Sequence, residues 1–534
     1  MNARTLRFLC TCSCLFAALF AGCTRAASLS APVQVLRVSQ RNEPADLDPA
    51  TATLPDEFFI IRALSEGLVV PESTAPGGVR AATASRWEIS ADGLSVTFHL
   101  RADARWSNRE PVTSADFITS YRRLLTPATA APKAELFFAV KNARAFVAGK
   151  LTDFSTVGFA APDPLTLVVT LERPTPDLLL FVASGPWIPV HPATVAAHGR
   201  DWTKPGHFVG NGPFTLGEWR SQQRIVVKKN PAYHSAAATR IDEIQFLRYD
   251  SADTEERAYR AGQLDVTMDV PKTKIETYAA ERPAELHRAA LAETRFLSFN
   301  LQRPPLTDER VRRALALAID RDKIVDRVLR GGQEPAIRFV PTVLRPESKN
   351  TAIDGEFRHE SAEARRLLAA AGFPEGRNFP RLELAGWSNN PVLEAIQAMW
   401  RQELGIEVAL TVREAKVHLA ALHAGTYDIA FATTLLDLAE RAHALEEFST
   451  GAVNNFPHWS SPEFDAALQV ANAERDAGRR ALSLDHAETL LLRAAPLAPV
   501  YFNTRNWLMA PRVRGWHEDA LWTRSYQAIY LDEK

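Results

Sequence analysis

Leu393-Glu394-Ala395-Ile396-Gln397-Ala398-Met399-Trp400-Arg401-Gln402-Glu403-Leu404, then Ile406-Glu407-Val408-Ala409-Leu410-Thr411-Val412, then Gly425-Thr426-Tyr427-Asp428-Ile429-Ala430-Phe431-Ala432-Thr433-Thr434-Leu435-Leu436-Asp437-Leu438-Ala439-Glu440: taken in order, these segments decide the fold class. The first reads as a helix and the second as a strand. In the third, Tyr427, Ile429 and Phe431 alternate with smaller or polar residues, which predicts a short half-buried strand that turns at Asp437. Helices alternating with strands argue for an α/β domain. Open α/β sheets place ligands beyond strand ends, so Asp437 is the best single candidate for a ligand contact. The same local pattern also fits a helix cap, with Glu440 completing a capping-box-like pair.

A chain of 534 residues exceeds one hydrophobic core and predicts two or three domains. With 46% hydrophobic and 23% charged residues the composition is that of an ordinary globular protein. The 62 basic and 63 acidic residues are well mixed, leaving a net charge of −1, and this argues against a nucleic-acid partner. All four cysteines, Cys10, Cys12, Cys14 and Cys23, fall at the amino terminus. The body of the protein therefore contains neither a disulfide nor a cysteine-ligated zinc.

Arg4 and Arg7 precede an apolar run from Phe8 to Ala21, the pattern of an export signal. The run ends Leu19-Phe20-Ala21-Gly22-Cys23, which resembles a bacterial lipobox with Phe20 in place of the usual leucine. That resemblance implies acylation of Cys23, a signal peptide over 1–23 and a tether over 24–33; ordinary cleavage after Ala26 is the alternative. No later stretch reaches the roughly eighteen apolar residues of a membrane span.

Further along, Val33 to Ser39 alternates as a strand, and Phe58 to Leu68 is predicted helical. Asp46 and Asp48 fit Asx-type turns better than a metal site, having no third acid at a suitable spacing. Asp92-Gly93 marks a hairpin, Thr113-Ser114-Ala115-Asp116 starts a helix, and Leu165 to Leu171 is a strand. Gly210 and Gly212 look like part of a phosphate loop, but Pro213 removes an amide and strand residues follow, so a hairpin fits better. Thr307 is predicted to cap a helix running on to Leu329, and Ser361 to Ala371 forms another.

The run Gly210 to Tyr233 resembles the signature region of the bacterial extracellular solute-binding proteins of family 5. Leu47-Asp48-Pro49, Glu66-Gly67-Leu68, Asp92-Gly93 through Arg101, Trp106-Ser107-Asn108 through Phe117, Asn300 through Arg321, and Ala364 through Pro374 occur in that family's order and spacing. Arg109 departs from it, standing where a glycine is common.

The resemblance implies an α/β, two-lobed periplasmic binding protein fold with an extra domain inserted in the first lobe. Lobe I is expected over 34–70, 188–293 and 498–534, the extra domain over 71–187 and lobe II over 294–497. It implies a non-enzymatic, monomeric receptor, periplasmic or extracytoplasmic and lipid-anchored, that closes on an oligopeptide and delivers it to an ABC permease in the inner membrane without a cofactor. Peptide would pair by β-augmentation along Thr433, Thr434 and Leu435, with its ammonium on Asp437 and Glu57 nearby. Thr434 and Ala415 stand where oligopeptide-binding relatives carry tryptophans, and Leu422 and Phe431 where they carry arginines, so side-chain recognition differs here. Dipeptide, nickel chelate, haem and oligosaccharide remain alternatives within the fold. A secreted hydrolase is the rival class, but the sequence has no Gly-X-Ser-X-Gly elbow, zinc helix or P-loop, and His191, His198 and His207 share no periodicity.

Overall fold

The computed structural model describes residues 33–532, apart from 73–74, 76–77, 346–355, 389, 435 and 518. The export signal, Cys23 and Leu435 lie outside the described residues. Among those described, no helix is long and apolar enough to cross a membrane.

The chain opens with β1 (Val35–Gln40) and α1 (Pro55–Leu64). Helix α1 starts earlier than its apolar pattern suggests because Pro55 presets the first turn, and it ends at Ser65, whose amide donates to Ile61 O at 2.8 Å. The chain then leaves to build a separate layer from β2 (Ala84–Ile89), β3 (Ser95–Leu100), α2 (Ser114–Leu125), β4 (Phe159–Asp163) and β5 (Thr166–Thr170). The sheet is antiparallel in the order β2-β3-β5-β4. Its first hairpin turns on Gly93 at φ +72°, and the Asp92 carboxylate accepts from the Leu94 amide at 2.9 Å. Thr113 and Asp116 form the expected capping box at the start of α2. Arg109 holds φ +74°, the left-handed conformation that a glycine takes without strain. Beneath the sheet, Trp187 stacks on Phe137 with centroids 4.2 Å apart. We call this layer the third unit.

The chain returns as β6 (Phe214–Arg220), β7 (Arg224–Lys229) and β8 (Glu243–Arg248), completing the lobe I sheet β1-β8-β7-β6 with β1 parallel to β8. Gly210 and Gly212 lie against the carboxyl end of α1, and the Gly212 amide donates to Leu64 O at 3.0 Å. A Cβ would come within 2.1 Å of Leu64 O at Gly210 and 2.5 Å of the Ser65 amide at Gly212. These glycines serve backbone packing.

The lobe II sheet is built on β9 (Leu286–Phe299) and β14 (Leu497–Leu508), which enter it from lobe I, together with α3 (Glu309–Leu317), β10 (Glu334–Pro335), β11 (Leu382–Trp387), α4 (Pro391–Leu404), β12 (Val408–Arg413), α5 (Ala415–His423) and β13 (Ile429–Thr433). The sheet order is β10-β14-β9-β13-β11-β12. Strands β9 and β14 pair from Leu286–Leu508, beside the lobe I core, to Ser298–Leu497 in the lobe II core. Their register slips between Ala290 and Thr294, which leaves the connection between lobes irregular at mid-length. The helix expected to run on to Leu329 stops at Leu317 instead. Asp308, rather than Thr307, caps α3, and Asp320 caps a new turn by accepting from the Lys323 amide at 3.0 Å.

Candidate functional site at the end of the lobe II sheet

Strand β11 lies between β12 and β13 and is parallel to both. It pairs with β12 over six residues but with β13 only at Leu384–Ile429 and Ala385–Ala430. Beyond Ala430 the two strands diverge, and the freed Phe431 carbonyl accepts from His418 Nε2 at 2.8 Å. A split between parallel strands at a reversal of connection order is where such sheets open a crevice.

The side chains at that end come from four strands. Thr433 donates its hydroxyl to Glu293 Oε1 at 2.8 Å, and Glu293 also accepts from Asn503 Nδ2 at 2.8 Å and pairs with Arg295 at 2.5 Å. The Arg295 guanidinium lies 5.2 Å from the Trp387 ring centroid. Thr434 is buried and extends the pairing of β13 with β9: its amide donates to Thr294 O at 3.1 Å and its hydroxyl accepts from the Thr294 amide at 3.0 Å. Glu293, Arg295 and Trp387 were not singled out from the sequence. The available signal was Trp387 itself, closing an alternating run just before the Asn390-Pro391 helix start.

Past Thr434 the chain crosses to the third unit. Leu438 is 2% exposed and belongs to that unit's core, although it comes from lobe II. Asp437 forms an ion pair with Lys133 of the third unit. Arg480 bridges Glu440 of lobe II, at 2.9 Å, and Asp177 of the third unit. Asp437 is not a helix cap. Glu440 performs that role for the helix Arg441–Glu446, accepting from the Ala442 and His443 amides at 2.5 and 3.2 Å.

This junction is rich in acids that burial holds back from ionising. The Asp177 carboxyl is pushed up to about 7 by burial and then by Glu440, against the pull of Arg480. Glu447 rises to about 7 through burial, with Asp437 adding repulsion and His443 and Asn454 opposing. A carboxyl raised in the folded state holds its proton there longer than in the unfolded chain, so stability is lost as pH climbs from the ordinary carboxylate range toward 7. Asp177→Asn is therefore expected to gain on the native protein between about pH 4 and 7, by up to ~1.4 kcal/mol per pH unit, and then to hold that gain. Melting midpoints of the two proteins across that range check this; a difference independent of pH would refute it.

The profile of the bacterial extracellular solute-binding proteins, family 5 (middle part), matches residues 78–456. The chain belongs to this family. It is 33% identical over 493 residues to the probable deoxycholate-binding periplasmic protein YgiS of Escherichia coli (strain K12), covering 91% of each chain. It is 31% identical over 501 residues to the periplasmic murein peptide-binding protein MppA of the same organism, covering 92% of each. It is 32% identical over 499 residues to its periplasmic oligopeptide-binding protein OppA, covering 90% of each. The solved structure of MppA superposes with a TM-score of 0.80 at 30% identity, covering 94% of this chain and 99% of that one. Its unliganded open form gives 0.76, again at 30% identity, with 94% and 98% covered. The two-lobed binding-protein fold is thus the fold of this family 5 chain, and these relatives are described as binding proteins rather than enzymes.

The remaining candidates fall in two places in the family 5 fold. Glu57 sits in the first turn of α1, 6% exposed, accepting from the amides of Ala45, Thr53 and Leu54 at 3.2, 2.8 and 3.0 Å. Both of its oxygens hold the loop that leads into α1. Leu422 and Phe431 are buried in the lobe II core, and Ala415 begins α5. Asp48 accepts from the Ala50 amide at 2.9 Å and pairs with Arg123, while Asp46 accepts from Thr203 Oγ1 at 2.6 Å, so the two acids hold turns. His198 and His207 stack at 3.9 Å, while the buried His191 bonds Glu110 at 2.7 Å.

Proposed function

We propose that this protein is an extracytoplasmic receptor that captures oligopeptides between its lobes and delivers them to an ABC import permease. The observation that carries the reading is the wall of side chains beyond the point where β11 and β13 part, formed by Glu293, Arg295, Trp387 and Thr433, with Asp437 where lobe II meets the third unit. An extended peptide would add backbone hydrogen bonds along this wall, with its side chains in the space beyond. The lower TM-score with the unliganded open form of MppA, 0.76 against 0.80, supports an arrangement that departs from that open one. Thr433, Thr434 and Asp437 are the proposed ligand contacts of lobe II, with Leu435 proposed from the sequence alone, and Glu57 is proposed as the lobe I contribution through the loop that it holds. The Arg4, Arg7 and Cys23 pattern supports export and lipid anchoring, with the folded body acting as a monomer.

Mass spectrometry of small molecules released on denaturing protein purified from its native source is expected to recover short peptides. Sugars or metal chelates without peptides would overturn the reading.

A further inference from the structure

The acidic group that would receive a peptide ammonium already has a cation. Lys133 of the third unit pairs with Asp437, and the two side chains are only 18% and 29% exposed. Lys133 is also held in place by its neighbours. It immediately precedes the turn Ala134–Phe137, in which Ala134, Leu136 and Phe137 are buried and Phe137 stacks on Trp187. An ammonium fixed this way competes at high effective concentration with any ammonium arriving from solution. A second cation would have to shed water beside a pair that is already neutral, and an uncompensated charge in such a place is disfavoured.

The other charged groups around Asp437 offer no ready replacement. Glu135 follows Lys133 directly, and burial, reinforced by Asp437, raises its carboxyl toward the neutral form. Glu447 is raised in the same way. His443 faces the cluster from the helix Arg441–Glu446; burial works against its charge, but Glu446, Glu447 and Asp437 outweigh burial and raise it. The junction thus balances its own charges.

We infer that Lys133 occupies the ammonium position at Asp437, so that this receptor takes ligands whose end at that wall carries no cation, such as N-acylated peptides. The inference rests on the peptide-receptor reading and narrows its substrate class. Asp437 and Lys133 then act together as the end wall of the closed cleft.

The test offers the full-length protein a synthetic pool of tripeptides to pentapeptides, once with free amino termini and once after complete N-acetylation, and identifies bound members by mass spectrometry. The native protein is expected to retain acetylated members at least about tenfold over their free counterparts, a free-energy preference of ~1.4 kcal/mol. Lys133→Met keeps the aliphatic stem and frees Asp437, and is expected to reverse the ranking. Preference of the native protein for free amino termini, or equal retention of the two pools, overturns the inference and leaves the peptide reading standing. An unchanged ranking in Lys133→Met also overturns it. Retention of no peptide in either form by the native protein overturns the peptide reading and this inference with it. The native ranking is decisive even if the variant fails to fold.

Discussion

Arg321→Met is expected to destabilise lobe II by about 3–5 kcal/mol, the scale for breaking a buried polar network by removing one partner. The guanidinium is 2% exposed and is met by carbonyls. Its Nε donates to Ala336 O and Pro499 O at 3.0 and 2.8 Å, and its NH1 to Ala316 O, Ile319 O and Phe357 O at 3.2, 3.0 and 2.8 Å. Burial pulls its pKa down to about 9, so it remains a cation at neutral pH. Methionine relieves the burial of that charge but removes a donor from five carbonyls, of which Ala316 O keeps the Ile319 amide at 3.4 Å, and each carbonyl left unsatisfied costs about 1–3 kcal/mol. The loss exceeds the relief because those carbonyls come from α3 and the turn after it, from Ala336 just past β10, from β14, and from the segment at Phe357, which the arginine ties together. Lysine is not expected to rescue the variant, since a point charge cannot reproduce a planar fork. Urea unfolding, followed by tryptophan fluorescence, measures the effect; a loss below about 1 kcal/mol would refute it, that being the scale of an ordinary surface change.

Arg321 also shows where sequence reading runs out. Asp308-Glu309 through Ile319 is legible as an amphipathic helix because the information is local: a cap, acids in the first turn and apolar residues at helical spacing. The stop at Leu317 is not, because it depends on Arg321 turning inward to carbonyls as far away as Pro499. The α4-β12-β13 order was legible for the same local reason, and so was the end of β13. Asp437 was legible as a residue beyond a strand end; its partner was not, since Lys133 lies 304 positions away in another unit. Glu57 matched by position, yet its carboxylate serves the loop before α1. Arg295 and Trp387 went unnoticed because their importance comes from strand neighbours, which no window of sequence contains. The inserted unit returns two such surprises, Lys133 and the pocket for Leu438, and both bear on closure.

Leu438→Ala is expected to weaken ligand binding by roughly 10- to 100-fold while leaving the two lobes folded, because it removes apolar burial of ~1.5–3 kcal/mol from the closed form alone. Leu438 is carried by lobe II but buried in the third unit's core, so any separation of these surfaces returns it to water. In the open form alanine and leucine at this exposed position differ little; in the closed form alanine leaves a gap that the third unit fills only in part. The ion pairs around it, Lys133 with Asp437 and Arg480 with Asp177 and Glu440, set the register of closure but contribute less net energy, since each carries a desolvation cost. The substitution therefore moves the open-to-closed equilibrium without touching a ligand contact, and with the open form predominant in the absence of ligand the apparent affinity falls by the same factor as the closed population. Leu438→Met, which keeps the volume, is expected to stay near the native affinity. Solution scattering on the ligand-free proteins reads the closed fraction, and calorimetric titration reads the affinity. A Leu438→Ala variant with unchanged scattering and unchanged affinity would mean that the junction stays docked whether or not the cleft is open, and the acid-rich contact would then belong to a rigid scaffold rather than to the moving surface.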